Sequence, residues 1–169
     1  MTTHVDTRQP STVRSLAPTV LAWVGLAGRL YLGYTFIKAG LDKLPHPDGT
    51  EAAVRAYQLL PWQWASSYAT ALPVAELVLG IALALGLFTR SVAVLLALGL
   101  CSFLVGITSA WARGLNIDCG CFGGGGEVSD PHYLEHVLRD AGYLAIATYL
   151  VVVRRTALAA GDWLFGRRD

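Results

Sequence analysis

Two cysteines separated by a single glycine, Cys119-Gly120-Cys121, are the residues of this 169-residue chain whose type and spacing most directly suggest chemistry. Such a pair can close a disulfide only through a ring of about eleven atoms, at the edge of the allowed geometry. A strained, accessible bridge is easily reduced and belongs with labile or catalytic disulfides more than with structural staples. Gly120 and the glycines after Phe122 give the backbone the freedom this needs. Asp118 precedes the pair, and His132 and His136 follow it, four residues apart and so on one helix face with Arg139 nearby. A cation beside the sulfurs favours the thiolate, which is the reactive form. Two bland readings stand beside this one: a passive staple, and a histidine pair sitting harmlessly at an interface. Thiolates completed by imidazole could also handle a metal or heme, although no metal site is assigned. The third cysteine, Cys101, lies about ten residues or ~15 Å from the pair and reads as a small buried hydrophobe.

The elements that must position these residues are set by composition. The chain is 54% hydrophobic and 15% charged, against roughly 25% charged in an average soluble domain. That is a membrane composition. A net charge of +1 leaves no basic surplus for phosphates, which excludes nucleic acid as a partner. No Walker loop, Rossmann glycine pattern or nucleophile elbow supports nucleotide or hydrolase chemistry.

Four spans are predicted, at about residues 20–44, 68–88, 91–111 and 132–153, each near the ~20 residues needed to cross the hydrocarbon. The expected fold is therefore all-α: a four-helix polytopic membrane domain over residues 20–155, with tails at 1–19 and 156–169. The short Thr89-Arg90 turn makes the second and third spans an antiparallel pair. The fourth has only thirteen uninterrupted apolar residues, Ala141 to Val153, and must borrow its other half from a segment carrying His132, Glu135, His136, Arg139 and Asp140. Polar groups are tolerated at that depth when they face other helices or a wet cavity.

Asp48-Gly-Thr-Glu51 has the form of a capping box before a short helical stretch that Pro61 stops, predicting a helix on the membrane surface in the first outer loop. Trp62, Trp64 and Tyr68 suit the membrane interface, and Trp163, Leu164 and Phe165 suggest that the last tail is interfacial as well. Arg8, Arg14, Arg90, Arg154 and Arg155 gather on one side of the spans, which places both termini in the cytoplasm and the cysteine pair outside. Within the hydrocarbon, Arg29 and Glu76 sit at depths that differ by roughly 5 Å and are expected to pair, while Lys38 and Lys43 can snorkel to headgroups.

These residues resemble the MauE/DoxX family of four-span membrane proteins, and within it the MauE-like branch of the methylamine utilisation type. Arg29, Gly33, Phe36, Gly40 and Lys43-Leu44 are similar to the family's first span, which ends in G-x-x-K-L. Tyr57-Gln-Leu-Leu-Pro61 follows, and then Leu72-Pro73, Glu76 and Gly80 resemble its second span. Cys119-Gly-Cys121-Phe122-Gly123 resembles the C-x-C-F-G signature of the MauE-like members, and Arg139-Asp140 falls where the family has Arg-Asn or Arg-Asp. The resemblance implies a bacterial plasma-membrane protein tied to disulfide metabolism and, in the methylamine branch, to maturation of a disulfide-rich dehydrogenase subunit. The architecture is also similar to the four-helix disulfide-forming quinone reductases. Those use C-x-x-C, so a quinone cofactor is raised by that likeness and not assigned.

The reading that follows is a membrane thiol–disulfide redox protein. Cys119 and Cys121 would exchange electrons with an extracytoplasmic thioredoxin-like partner or disulfide-containing client, supported by Asp118, His132, His136 and Arg139. The alternatives are a non-catalytic assembly or docking subunit of a redox complex, and thiolate/imidazole handling of metal or heme.

Overall fold

The computed structural model describes residues 12–120, 125–126 and 128–153. Among these residues five helices follow one another: α1 (Thr12–Lys43), α2 (Pro47–Ala56), α3 (Trp62–Leu85), α4 (Thr89–Ala112) and α5 (Tyr133–Val152). Helix α1 starts at Thr12, inside the stretch 1–19 expected to be a tail. The segments Thr19–Lys43, Trp62–Leu85 and Thr89–Ala112 are long and apolar enough to cross a membrane. Helix α5 is polar through its first two turns, where Glu135, Arg139 and Asp140 lie. Many large apolar side chains point outward along the long helices, among them Trp23, Tyr34, Val78, Leu98 and Val105, as a bundle solvated by lipid requires.

The short helix between the first two long ones begins at Pro47, whose fixed φ and missing N–H suit a first helical position. The capping box expected at Asp48 to Glu51 does not form, because His46 takes the N-cap position without a side-chain cap. This helix also ends at Ala56. Gln58, at φ 52°, then turns the chain, and Pro61 becomes the N-cap of α3. Trp62 and Trp64 therefore open α3, six residues before its expected start, and the Arg55 guanidinium lies 3.7 Å over the Trp62 ring.

At the other end of α3, Gly86 at φ 74° closes the helix, and Leu87 N–H reverses onto the Ala82 carbonyl at 2.9 Å. The α3–α4 turn is thus Gly86 to Phe88, and Thr89 and Arg90 already belong to α4. Helices α3 and α4 touch less than α1 with α3 or α4 with α5. The bundle is two tight antiparallel pairs joined where α1 meets α5.

Glycine explains the first pair. A Cβ on Gly40 would stand 2.7 Å from the Pro73 carbonyl oxygen, and one on Gly80 would stand 2.9 Å from the Ile37 nitrogen. Only backbone fits there, and small residues at such crossings let helices pack without a hydrophobic driving force. Leu32, Phe36, Leu83, Leu96, Leu100, Ala147 and Leu150 fill the centre. A second cluster of Ile107, Ala110, Ile117 and Tyr133, with Cys119, lies toward the end of the bundle that carries α2 and the α4–α5 loop.

Candidate functional site

The α4–α5 loop is built to hold Cys119 against α5. Asp118 N–H donates to the Gly126 carbonyl at 3.0 Å and Val128 N–H to the Asn116 carbonyl at 2.9 Å, a clasp that folds the loop back on itself. Tyr133, at the start of α5, donates its hydroxyl hydrogen to the Leu115 carbonyl and accepts one from Ile117 N–H at 3.2 Å. From the opposite side, the Tyr57 hydroxyl donates to the Cys119 carbonyl at 3.1 Å. Asp118 turns the chain by accepting from Gly120 N–H at 3.0 Å, and Gly120 takes φ 67°, a left-handed conformation open to glycine. A Cβ on Gly125 would strike the Gly49 carbonyl oxygen at 2.5 Å, so this glycine lets the loop press on α2.

The Cys119 thiol is 9% exposed as a residue, and its sulfur meets two nitrogen groups from one face of α5. His136 Nδ1 lies 3.7 Å from Sγ, and Arg139 Nη2 lies 3.9 Å from it. Arg139 is itself held by Asp140, with its Nε donating to Oδ1 at 3.0 Å. Asp118, Cys119 and His136 bring their ligand atoms within 4.8 Å of one another. Such a set could grip a soft cation, but a guanidinium already supplies positive charge beside the sulfur, which suits a thiolate better than a metal ion. Cys119 also forms part of the wall of an apolar cavity of about 280 Å³ between α2, α3 and α4.

The structure therefore brings together Asp118, Cys119, His136 and Arg139, four of the residues singled out from the sequence. His132 is the N-cap of α5, exposed and outside this cluster, because the helix begins one residue later and a cap residue does not follow the helix face. Cys121 lies outside the described residues. Cys101 is exposed on the surface of α4, so it faces away from the core that the sequence suggested for it. Tyr57 and Tyr133 were missed as loop-holding residues. Tyr57 stands in the Y-Q-L-L-P run already noted, whereas an aromatic at a helix start carries no signal of a partner far along the chain.

The buried charge pair is a second correction. Glu76 does not pair with Arg29: Lys43 Nζ donates to both of its oxygens at 2.7 Å, and these two side chains are 2% and 5% exposed. Lys43 is thus buried and does not reach headgroups, while Lys38 is exposed and bound to Asp42 at 2.6 Å. The glycine contacts set Glu76 level with the stretch around Ala39 and Gly40, about ten residues or ~15 Å along α1 from Arg29. Depth counted from the span ends failed because α3 starts well beyond the end of α1 and leans on α2.

Fold and site together define an all-helical, multi-pass membrane protein with a buried thiol set against imidazole and guanidinium. The family model described as methylamine utilisation protein MauE matches residues 21–153. The methylamine utilisation protein MauE of Paracoccus denitrificans is 34% identical over 140 residues, covering 79% of this chain and 73% of that protein. The chain belongs to the MauE family. No solved structure gives a significant match.

Proposed function

We propose that this MauE-family protein is a membrane thiol–disulfide exchange protein in which Cys119 and Cys121 pass electrons to or from a thioredoxin-like domain or a disulfide-containing client. The observation that carries the reading is the Arg139 guanidinium 3.9 Å from the Cys119 sulfur, with His136 at 3.7 Å on the same side. A cation at that distance stabilises the thiolate, which is both the attacking and the leaving form in exchange. In one half-reaction, a Cys119 thiolate attacks a partner disulfide, forms a mixed disulfide and expels the partner's thiolate. The second cysteine then attacks Cys119, releasing the partner as a dithiol and leaving the C-x-C pair oxidised.

Helix α5 completes a four-span topology in this reading, with its polar turns covered by α4 and α1 and with α2 lying in the interface. Both termini face the cytoplasm of a bacterial plasma membrane, by the distribution of arginines already described. The relative's name ties it to methylamine utilisation. For this chain the corresponding proposal is a maturation role toward a disulfide-bearing client of such a system.

The test is capture of the mixed disulfide. Cys121→Ala, or the reciprocal Cys119→Ala, should accumulate a covalent adduct with an extracytoplasmic partner that reductant dissolves. Full activity of the double Cys→Ala variant would instead make the protein a docking subunit. Loss of stoichiometric metal on His136→Ala would make it a metal handler.

A further inference from the structure

A second, smaller cavity of about 30 Å³ lies within the bundle, between the thiol cluster and the Lys43–Glu76 pair. Its wall contains two buried carboxylates from different helices, Glu76 at 4% exposure and Asp140 at 3%. Asp140 spends Oδ1 on Arg139, and its other oxygen, Oδ2, has no hydrogen-bond partner among the described residues. A carboxylate oxygen left in this state costs more than an ordinary lost hydrogen bond. A single water needs ~10–15 Å³ of probe-occupied space, which this cavity exceeds, and Asp140 and Glu76 are both among the residues that line it. Thr35 and Tyr143 line the same wall, with the Thr35 hydroxyl donating to the Tyr31 carbonyl at 2.9 Å.

We propose that a water molecule in this cavity donates its two hydrogens to Asp140 Oδ2 and to the Glu76 carboxylate, joining Lys43–Glu76 and Asp140–Arg139 into one chain that ends at the Cys119 sulfur. The inference rests on reading Cys119 as a reactive thiol and extends it inward. Lys43 and Glu76 become remote positioning residues. Each oxygen of Glu76 accepts one bond from Lys43 and keeps a lone pair for the water. The consequence for the sulfur follows from Arg139, which among the described residues serves both Asp140 and the Cys119 sulfur. With the water in place, Asp140 Oδ2 is satisfied and Arg139 can hold Asp140 through Nε while Nη2 faces Sγ. Without it, Oδ2 draws the guanidinium toward Asp140 and away from the sulfur. Helix α4 contributes Leu100 and Phe103 to this cavity and no charge. Among the described residues, the ionisable groups facing the chain are Lys43 from α1, Glu76 from α3, Tyr143 from α5, and Asp118 and His136 at the thiol end.

The experiment uses the full chain in lipid nanodiscs with Cys119 as its single thiol, made by Cys101→Ser and Cys121→Ser, and follows the rate of iodoacetamide alkylation against pH. Ala39→Val narrows the cavity without touching an ionisable residue. Lys43→Gln with Glu76→Gln removes both charges of the inner pair together. Each is expected to move the midpoint of the alkylation profile upward, by about half a unit to one unit, with thermal unfolding close to that of the parent. In the parent protein itself, the infrared difference between alkylated and unmodified forms should contain a water O–H band that shifts in heavy-oxygen water. Folded variants whose profiles superimpose on the parent, or a difference spectrum without an isotope-sensitive band, overturn the bridge. Either result leaves partner capture untouched, so the exchange reading stands or falls separately. A shifted profile with no captured partner would keep the water chain and remove the exchange reading.

Discussion

The Lys43–Glu76 pair and the Cys119 cluster are both buried and both charged, yet they are built in opposite ways. In the first, an ammonium donates to both carboxylate oxygens at 2.7 Å, with exposures of 2% and 5%, at a helix crossing that glycines hold shut. In the second, the sulfur meets its neighbours at 3.7 and 3.9 Å, the Arg139 side chain is 25% exposed, and the wall is a loop held by two tyrosines. A closed pair of short bonds resists change because breaking it strands a charge. A longer-range, partly open cluster can change partners at little cost, as an exchanging thiol must.

The sharpest way to break this comparison is to remove one half of the closed pair. Glu76→Ala should destabilise the protein by about 3–5 kcal/mol, the scale for stranding a buried ion, while Lys43→Leu with Glu76→Leu should recover most of that loss. Chemical or thermal unfolding in detergent measures both. Equal damage from the single and double variants would show that the pair does more than neutralise itself.

On the open side, Arg139→Lys keeps a cation for Asp140 but withdraws the second nitrogen that reaches the sulfur. Alkylation of Cys119 near neutral pH should slow by about tenfold, with stability changed by less than ~1 kcal/mol. A large stability loss with unchanged alkylation would move Arg139 to the structural class. The redox potential sharpens the same contrast. A Cys119–Cys121 bridge used for exchange should titrate above about −300 mV against thiol buffers, and a value well below that would make it a staple. Tyr57→Phe should have the smallest effect, near the ~1 kcal/mol of one hydrogen bond to the Cys119 carbonyl, and should leave the alkylation rate within about twofold.

Much of the site was legible because its chemistry is local. His136 and Arg139 stand three apart on one helix and so share a face, and a cation near a C-x-C pair could be foreseen from their proximity in the chain. His132 obeys the same spacing rule but misses the cluster, since it precedes the first residue of α5 and a cap residue does not follow the helix face. The capping box fails for a related reason: Pro47 opens the helix one residue before Asp48 could cap it.

By itself, then, the sequence determined the membrane class, the long apolar helices and the thiol motif, because hydrophobic length and side-chain chemistry are properties of short segments. It could not determine which charge meets Glu76. That choice depends on how far α1 and α3 slide along each other, and the slide is fixed where Gly40 meets Pro73 and Gly33 meets Gly80, by close backbone contact between positions 33 and 47 residues apart in the chain. A shift of two or three turns would bring a different basic residue to Glu76. Only the tertiary structure decides that register, because steric fit between two helix surfaces is a property of neither helix alone.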